Sequence, residues 1–157
     1  MKTDSTFFKI LDLILRLTAA VILAQTLWFK FSAASEPVYI FAKVGLGAPG
    51  RIGIGVAELI AVILLLLPST VWLGATISLG IMAGAITCHL TVLGIDVLGD
   101  HGELFILALV VASCSLVLLF FHRREIQVLG HKIVFFSRPK KIAPSILSID
   151  RTGLGKI

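Results

Sequence analysis

Charge is sparse in this chain: 15% of its 157 residues are Asp, Glu, Lys or Arg, against roughly 25% in soluble domains. Cysteine occurs only at 88 and 114, and no CxxC pair exists, so a thioredoxin-like redox site has no support. No flavin or nicotinamide fingerprint is present, and any catalysis would have to borrow its redox centre from a partner. The polar–apolar alternation of strands is missing from the apolar segments, which excludes a spanning barrel and leaves helices.

What the chain has in excess is apolar surface: 57% of residues and a mean hydropathy of +1.03. The excess falls into four blocks, at 8–31, 51–67, 71–93 and 103–121. A helix needs about 20 residues to cross the hydrocarbon core, with a range of 17–25. The expected fold is therefore all-α, a four-helix transmembrane bundle over 1–121 followed by a tail over 122–157. The "FSAAS" at 31–35 resembles a signal-cleavage site. Yet the run before it exceeds a usual h-region of about 7–15 residues, and Arg16, Gln25, Trp28 and Lys30 interrupt it, so a retained span is expected.

Four spans put both termini on one side. That side carries 11 of the 14 Lys and Arg residues, the other only Lys30, Lys43 and Arg51, so the termini are expected to be cytoplasmic. The tail alone has eight basic residues against Glu125 and Asp150. Its expected partner is the anionic headgroup layer rather than nucleic acid. Its "QVLGHKIVFF" piece fits an interfacial helix or a strand equally well. Small residues favour close helix contacts in lipid. Gly53, Ala57 and Ala61 form one such row; Gly80, Gly84 and Cys88 form a second, and Ser78, Met82, Ala85 and His89 a third. These rows predict tight packing.

The few polar residues inside the spans then stand out. At about 1.5 Å per residue, Glu58 lies about 10 Å and His89 about 6 Å below the outer surface. Lys30 ends the first span and Glu103 opens the fourth at that same level, with Gln25 a turn or so deeper. Ionisable groups within a membrane are functional candidates because they are costly there. Lys30, Glu58, His89 and Glu103 form the expected polar site, with Gln25 and Arg16 accessory. Lys30 and His89 are the expected partners of Glu58, which would make changes at Glu58 and His89 non-additive. Arg16 sits apart, near the cytoplasmic end, where snorkelling accounts for it. Cys88 and Cys114, at depths of about 8 and 17 Å, stand too far apart for a disulfide, which needs Cα atoms within about 7 Å. A metal held by His89, Asp100, His101 and Glu103 matches no known ligand spacing, so that loop is expected to be merely solvated. Bis-histidine haem is disfavoured because His89 is alone among the spans.

The run "LRLTAAVILAQTLWFKF", the loop "GLGAPG", then "GVAELIAVILLL", "GIMAGAITCHL" and "GELFILAL" together resemble the DoxX family of small four-helix membrane proteins, over about 10–121. The resemblance implies a bacterial-type inner-membrane location and a link to oxidoreductase systems, where relatives serve as small subunits of quinone-linked thiosulfate oxidation. It carries over Arg16, Lys30, Glu58, His89 and Glu103. Where some members have histidine–glycine before the first-span lysine, this chain has Gln25 and Thr26, which weakens any scheme needing a second intramembrane histidine. Three functions follow: a redox-associated subunit with a quinone pocket and no cofactor of its own, a non-enzymatic assembly or scaffold protein, and a small transporter. A cavity beside His89 would favour the first. A solid core with Glu58 against His89 would favour the second, and a polar path through the inner half the third.

Overall fold

A computed structural model describes residues 4–123, which are helical throughout apart from their connections. The tail expectations, including the "QVLGHKIVFF" piece, lie outside the described residues. The elements are α1 (Asp4–Phe31), α2 (Ser35–Lys43), α3 (Gly47–Leu66), α4 (Val71–Cys88), a π-helical turn (His89–Leu93) that continues α4, and α5 (Glu103–Phe121). Three of these segments are long and apolar enough to cross a membrane: Gly47–Leu66, Val71–Leu93 and Glu103–Phe121. Helix α1 is longer, at 28 residues, and more polar.

The four long helices touch in a ring, α1 on α3 and α5, and α4 on α3 and α5. Their inward faces are apolar and small. Ala19, Leu23 and Leu27 of α1 meet Ala61 and Leu65 of α3, Ala75 and Met82 of α4, and Val111 and Leu118 of α5 in one core. The outward faces are apolar too. Val56, Leu59, Ile60 and Ile63 of α3 and Ile106, Leu109, Leu116 and Phe120 of α5 are exposed. Contiguous apolar surface on this scale marks contact with lipid or another protein rather than water.

Two features depart from the sequence reading. The 32–50 segment, expected to be a loop, folds into α2 and the first turn of α3. Prolines 37 and 49 each occupy the third position of a helix, where the missing N–H costs nothing because first-turn donors have no intrahelical partner. The helix that was expected to start at 51 therefore starts at Gly47. The small-residue rows also distribute differently. A side-chain carbon added at Gly53, Gly80 or Gly84 would meet nothing within 4 Å, so these glycines do not mediate close packing. The close approach is at Gly74, where such a carbon would stand 2.7 Å from the Leu65 nitrogen and 3.0 Å from the Ala61 carbonyl oxygen. The row of Ser78, Met82, Ala85 and His89 turns inward as expected, with Ser78, Met82 and His89 buried, and of the Gly53 row Ala61 is buried in the core.

At one end of the ring the helices are clamped by charge. Arg16 donates from Nε to the Leu65 carbonyl at 2.8 Å and from Nη2 to the Leu66 carbonyl at 3.0 Å. Those are orphan carbonyls at the end of α3, so the guanidinium caps that helix from outside. Asp12 accepts from Arg16 at 3.3 Å and faces His122 Nε2 at 2.8 Å, which ties α1 to the end of α5. The Arg16 head is engaged by the α3 carbonyls and by Asp12.

Candidate functional site

The opposite end is open. There α1, α2, α3, α4, the π-turn and α5 surround a cavity of about 470 Å³ with mostly apolar walls. Lys30, Glu58, His89 and Glu103 all border it, as does Gln25; Arg16 does not. Exposed Gln25, Gly84 and Glu103 among its lining residues place part of the wall at the molecular surface.

Among the described residues Glu58 is the most deeply buried ionisable group, at 2% exposure. Lys30 Nζ stands 3.0 Å from its Oε1 and 2.9 Å from its Oε2. The Thr26 hydroxyl lies 2.9 Å from the Leu23 carbonyl and 3.2 Å from Glu58 Oε2, sharing its single proton between them. Thr26 and Lys30 are four residues apart on α1, so one helix face delivers both donors to one carboxylate. An ammonium has three N–H groups, and two carboxylate contacts leave at least one of them uncommitted. Arg51 holds the Lys30 backbone by donating to its carbonyl, which fixes the end of α1 against the start of α3.

His89 is held by different groups. At the π-turn the chain closes with Gly94 N–H donating to the His89 carbonyl at 2.9 Å. Gly94 itself takes φ +88°, a conformation open to glycine and strained for other residues. This folds the Gly94 carbonyl back onto His89 Nδ1 at 2.9 Å. A carbonyl only accepts, so Nδ1 carries the proton. The ring also packs edge-on against Phe105 of α5, at 5.6 Å between centroids. Among the described residues Nε2 has no hydrogen-bond partner. The expected direct partnership of His89 with Glu58 is therefore corrected: both border one cavity, but Gly94 takes the imidazole and Lys30 takes the carboxylate.

The rim adds two groups to which the sequence reading gave no place in the polar site. Lys43 at the end of α2 donates to the Leu93 carbonyl at 3.4 Å and so ties α2 to the π-turn. Asp100 accepts from Val97 N–H at 2.7 Å, Gly102 N–H at 3.0 Å and Leu104 N–H at 3.1 Å, and organises the entry to α5. Burial works against its charge, but these backbone donors, with Asp96 beside them, outweigh it and hold its carboxyl below the ordinary value of 3.8. The signal was present: Asp100 and Glu103 have the spacing of a helix-start box ahead of an apolar run. No group of three His, Cys, Asp or Glu residues that could hold a metal occurs among the described residues. Both cysteines are free, Cys88 on the cavity wall and Cys114 buried in the core.

The cavity's charged lining is one lysine against four carboxylates, Glu36, Glu58, Asp100 and Glu103. Such a lining repels anions. The inner pair, Lys30 with Glu58, is neutral as a unit, and the remaining walls suit an apolar body. Comparison of the chain with protein-family models, with characterised proteins and with solved structures returned no match.

Proposed function

We propose that this chain is an integral membrane protein of the DoxX type and a small subunit or partner of a quinone-linked oxidoreductase system. In this reading α1, α3, α4 with its π-turn, and α5 are four spans of a bacterial-type inner membrane, both termini are cytoplasmic, and the basic tail rests on anionic headgroups. The cavity admits the head of a quinone-class molecule from the bilayer. The observation that carries the reading is the cavity itself: about 470 Å³ of largely apolar space with a neutral Lys30–Glu58 pair and an unpartnered imidazole nitrogen on its wall. Ligand sites for small molecules have about 300–1,000 Å³ and a few convergent polar groups on apolar walls.

An assembly role would call for a filled core at this level with Glu58 against His89, and neither is present. Transport would call for a polar path through the other half, where Arg16 is committed to α3 carbonyls. The acidic lining also argues against an anion such as thiosulfate as the occupant of this cavity, so thiosulfate chemistry would belong to a partner.

The test is extraction and mass spectrometry of what the purified full chain retains. Quinone should be enriched over its proportion in the membrane extract. It should be lost in Gly84→Phe, because Gly84 lines the cavity and an added side chain there meets open space rather than backbone. Phospholipid alone, or quinone retained equally by Gly84→Phe, would defeat the reading.

A further inference from the structure

His89 has a property that a quinone does not satisfy. The residue is 5% exposed and its ring is held by the Gly94 carbonyl at Nδ1, by its own backbone in the π-turn and by Phe105. The proton is on Nδ1, so in the neutral ring Nε2 is a bare lone pair. Unlike the Ser78 and Ser115 hydroxyls, which are sealed in the bundle without a partner, Nε2 is not sealed off, so its lone pair is accessible to what enters the cavity that His89 lines. No protein donor serves it among the described residues. Lys30 across the cavity has the opposite surplus, at least one ammonium N–H not committed to Glu58.

We propose that His89 is a specificity-determining acceptor and that the occupant of the cavity donates an O–H to its Nε2. Within the quinone class this selects the reduced, dihydroxy form. The inference rests on the function proposed above and deepens it. A quinone has carbonyl oxygens only; it can satisfy Lys30 but leaves Nε2 bare. Each hydroxyl of a hydroquinone both donates and accepts, so one molecule can give a proton to Nε2 and take an N–H from Lys30. The acidic lining disfavours the deprotonated, anionic form of the same molecule. A neutral aromatic diol on apolar walls matches both the Nε2 lone pair and the spare Lys30 N–H.

The experiment measures binding of three probes of one shape to the detergent-solubilised full chain by equilibrium dialysis. They are tetramethyl-1,4-hydroquinone kept reduced, its quinone, and its dimethyl ether, which retains the oxygens but has no O–H. One added hydrogen bond to a buried acceptor corresponds to about tenfold in affinity. The hydroquinone should therefore bind about tenfold more tightly than either of the other two. His89→Ala should abolish that preference while leaving quinone affinity within about twofold, and His89→Gln, which restores a side-chain acceptor, should recover part of it. The wild-type comparison of the three probes needs no variant to fold. Equal binding of hydroquinone and ether, or a preference for the quinone, overturns the role of His89 while the quinone-class reading survives. Failure of all three to bind, or stronger binding of a cationic amphiphile, removes both.

Discussion

Replacing Lys30 by methionine keeps an apolar stem and removes the ammonium. Glu58, at 2% exposure, is then left with the shared Thr26 proton alone. Breaking a buried ion pair from one side costs about 3–5 kcal/mol, because the surviving charge has no water to return to. The reverse change, Glu58→Leu, should cost less. The Lys30 side chain is 14% exposed against 2% for Glu58, and its flexible stem can carry the charge toward the surface, so about 1–2 kcal/mol is expected. Replacing both with apolar residues of similar volume should fall within about 1 kcal/mol of the wild type. The cycle then closes with a coupling of at least about 3 kcal/mol, at the upper end for contacting residues. The assay is detergent-titrated unfolding of the purified full chain followed by circular dichroism, on all four proteins. Additive losses in the double variant would refute the pair as a local unit, and a larger loss in Glu58→Leu than in Lys30→Met would refute the burial argument.

Other outcomes follow from single contacts. Gly74→Ala should lose about 1–3 kcal/mol in thermal unfolding, since its new carbon meets α3 backbone. Gly80→Ala should instead be neutral or gain up to about 1 kcal/mol, since its carbon meets nothing. Glu58→Gln and His89→Ala, which share no hydrogen-bond partner, should be additive in stability within about 0.5 kcal/mol; a larger coupling would mean that the two side chains interact after all. Asp100 is ionised more readily folded than unfolded, so its contribution is complete above the ordinary value of 3.8 and fades as pH falls through the lower folded value. Asp100→Asn should flatten that acid limb, which a melting-temperature series from pH 2 to 6 would read. Cysteines placed at 96 and 145 should react from opposite sides of the membrane, and labelling of both from outside would reject the proposed orientation.

How far the sequence spoke depended on whether a feature is longitudinal or azimuthal. The ends of α4 with its π-turn and of α5 were legible because turn residues flank clean apolar runs: "PST" precedes Val71, and Gly94 and Gly102 bracket the loop. Helix α2 was hidden because nine residues are too few for a span and because Pro37 inside it and Pro49 beyond it are residues typical of loops. Its signature was nonetheless there: Pro37 in the first turn, then Phe41 four residues on along one buried face. Depth could be counted, and Lys30, Glu58, His89 and Glu103 do border one cavity. Direction around each axis could not. Glycine spacing identified residues sharing a face, but not that Gly80 and Gly84 face open space while Gly74 meets backbone. The π-turn was illegible for a different reason: its closure, Gly94 N–H on the His89 carbonyl five residues back, leaves no mark in the hydrophobic period.

The two ends of the helix ring treat their polar groups in opposite ways, and that contrast is the physical basis for locating function at one of them. At the Arg16 end, the guanidinium serves the last carbonyls of α3 while Asp12 joins Arg16 to His122. Each group there meets a structural need created by a helix terminus. At the Glu58 end, helix termini are served by other residues: Lys43 reaches the Leu93 carbonyl, Arg51 the Lys30 carbonyl, and Asp100 the first N–H groups of α5. Those three relieve Lys30 and His89 of capping duty with their free valences. A bundle that needed polar groups only for packing would leave neither an uncommitted ammonium N–H nor a bare imidazole nitrogen beside about 470 Å³ of apolar space. An occupant that engages this residual capacity stabilises the folded chain by mass action, so its affinity and the chain's apparent stability are linked quantities.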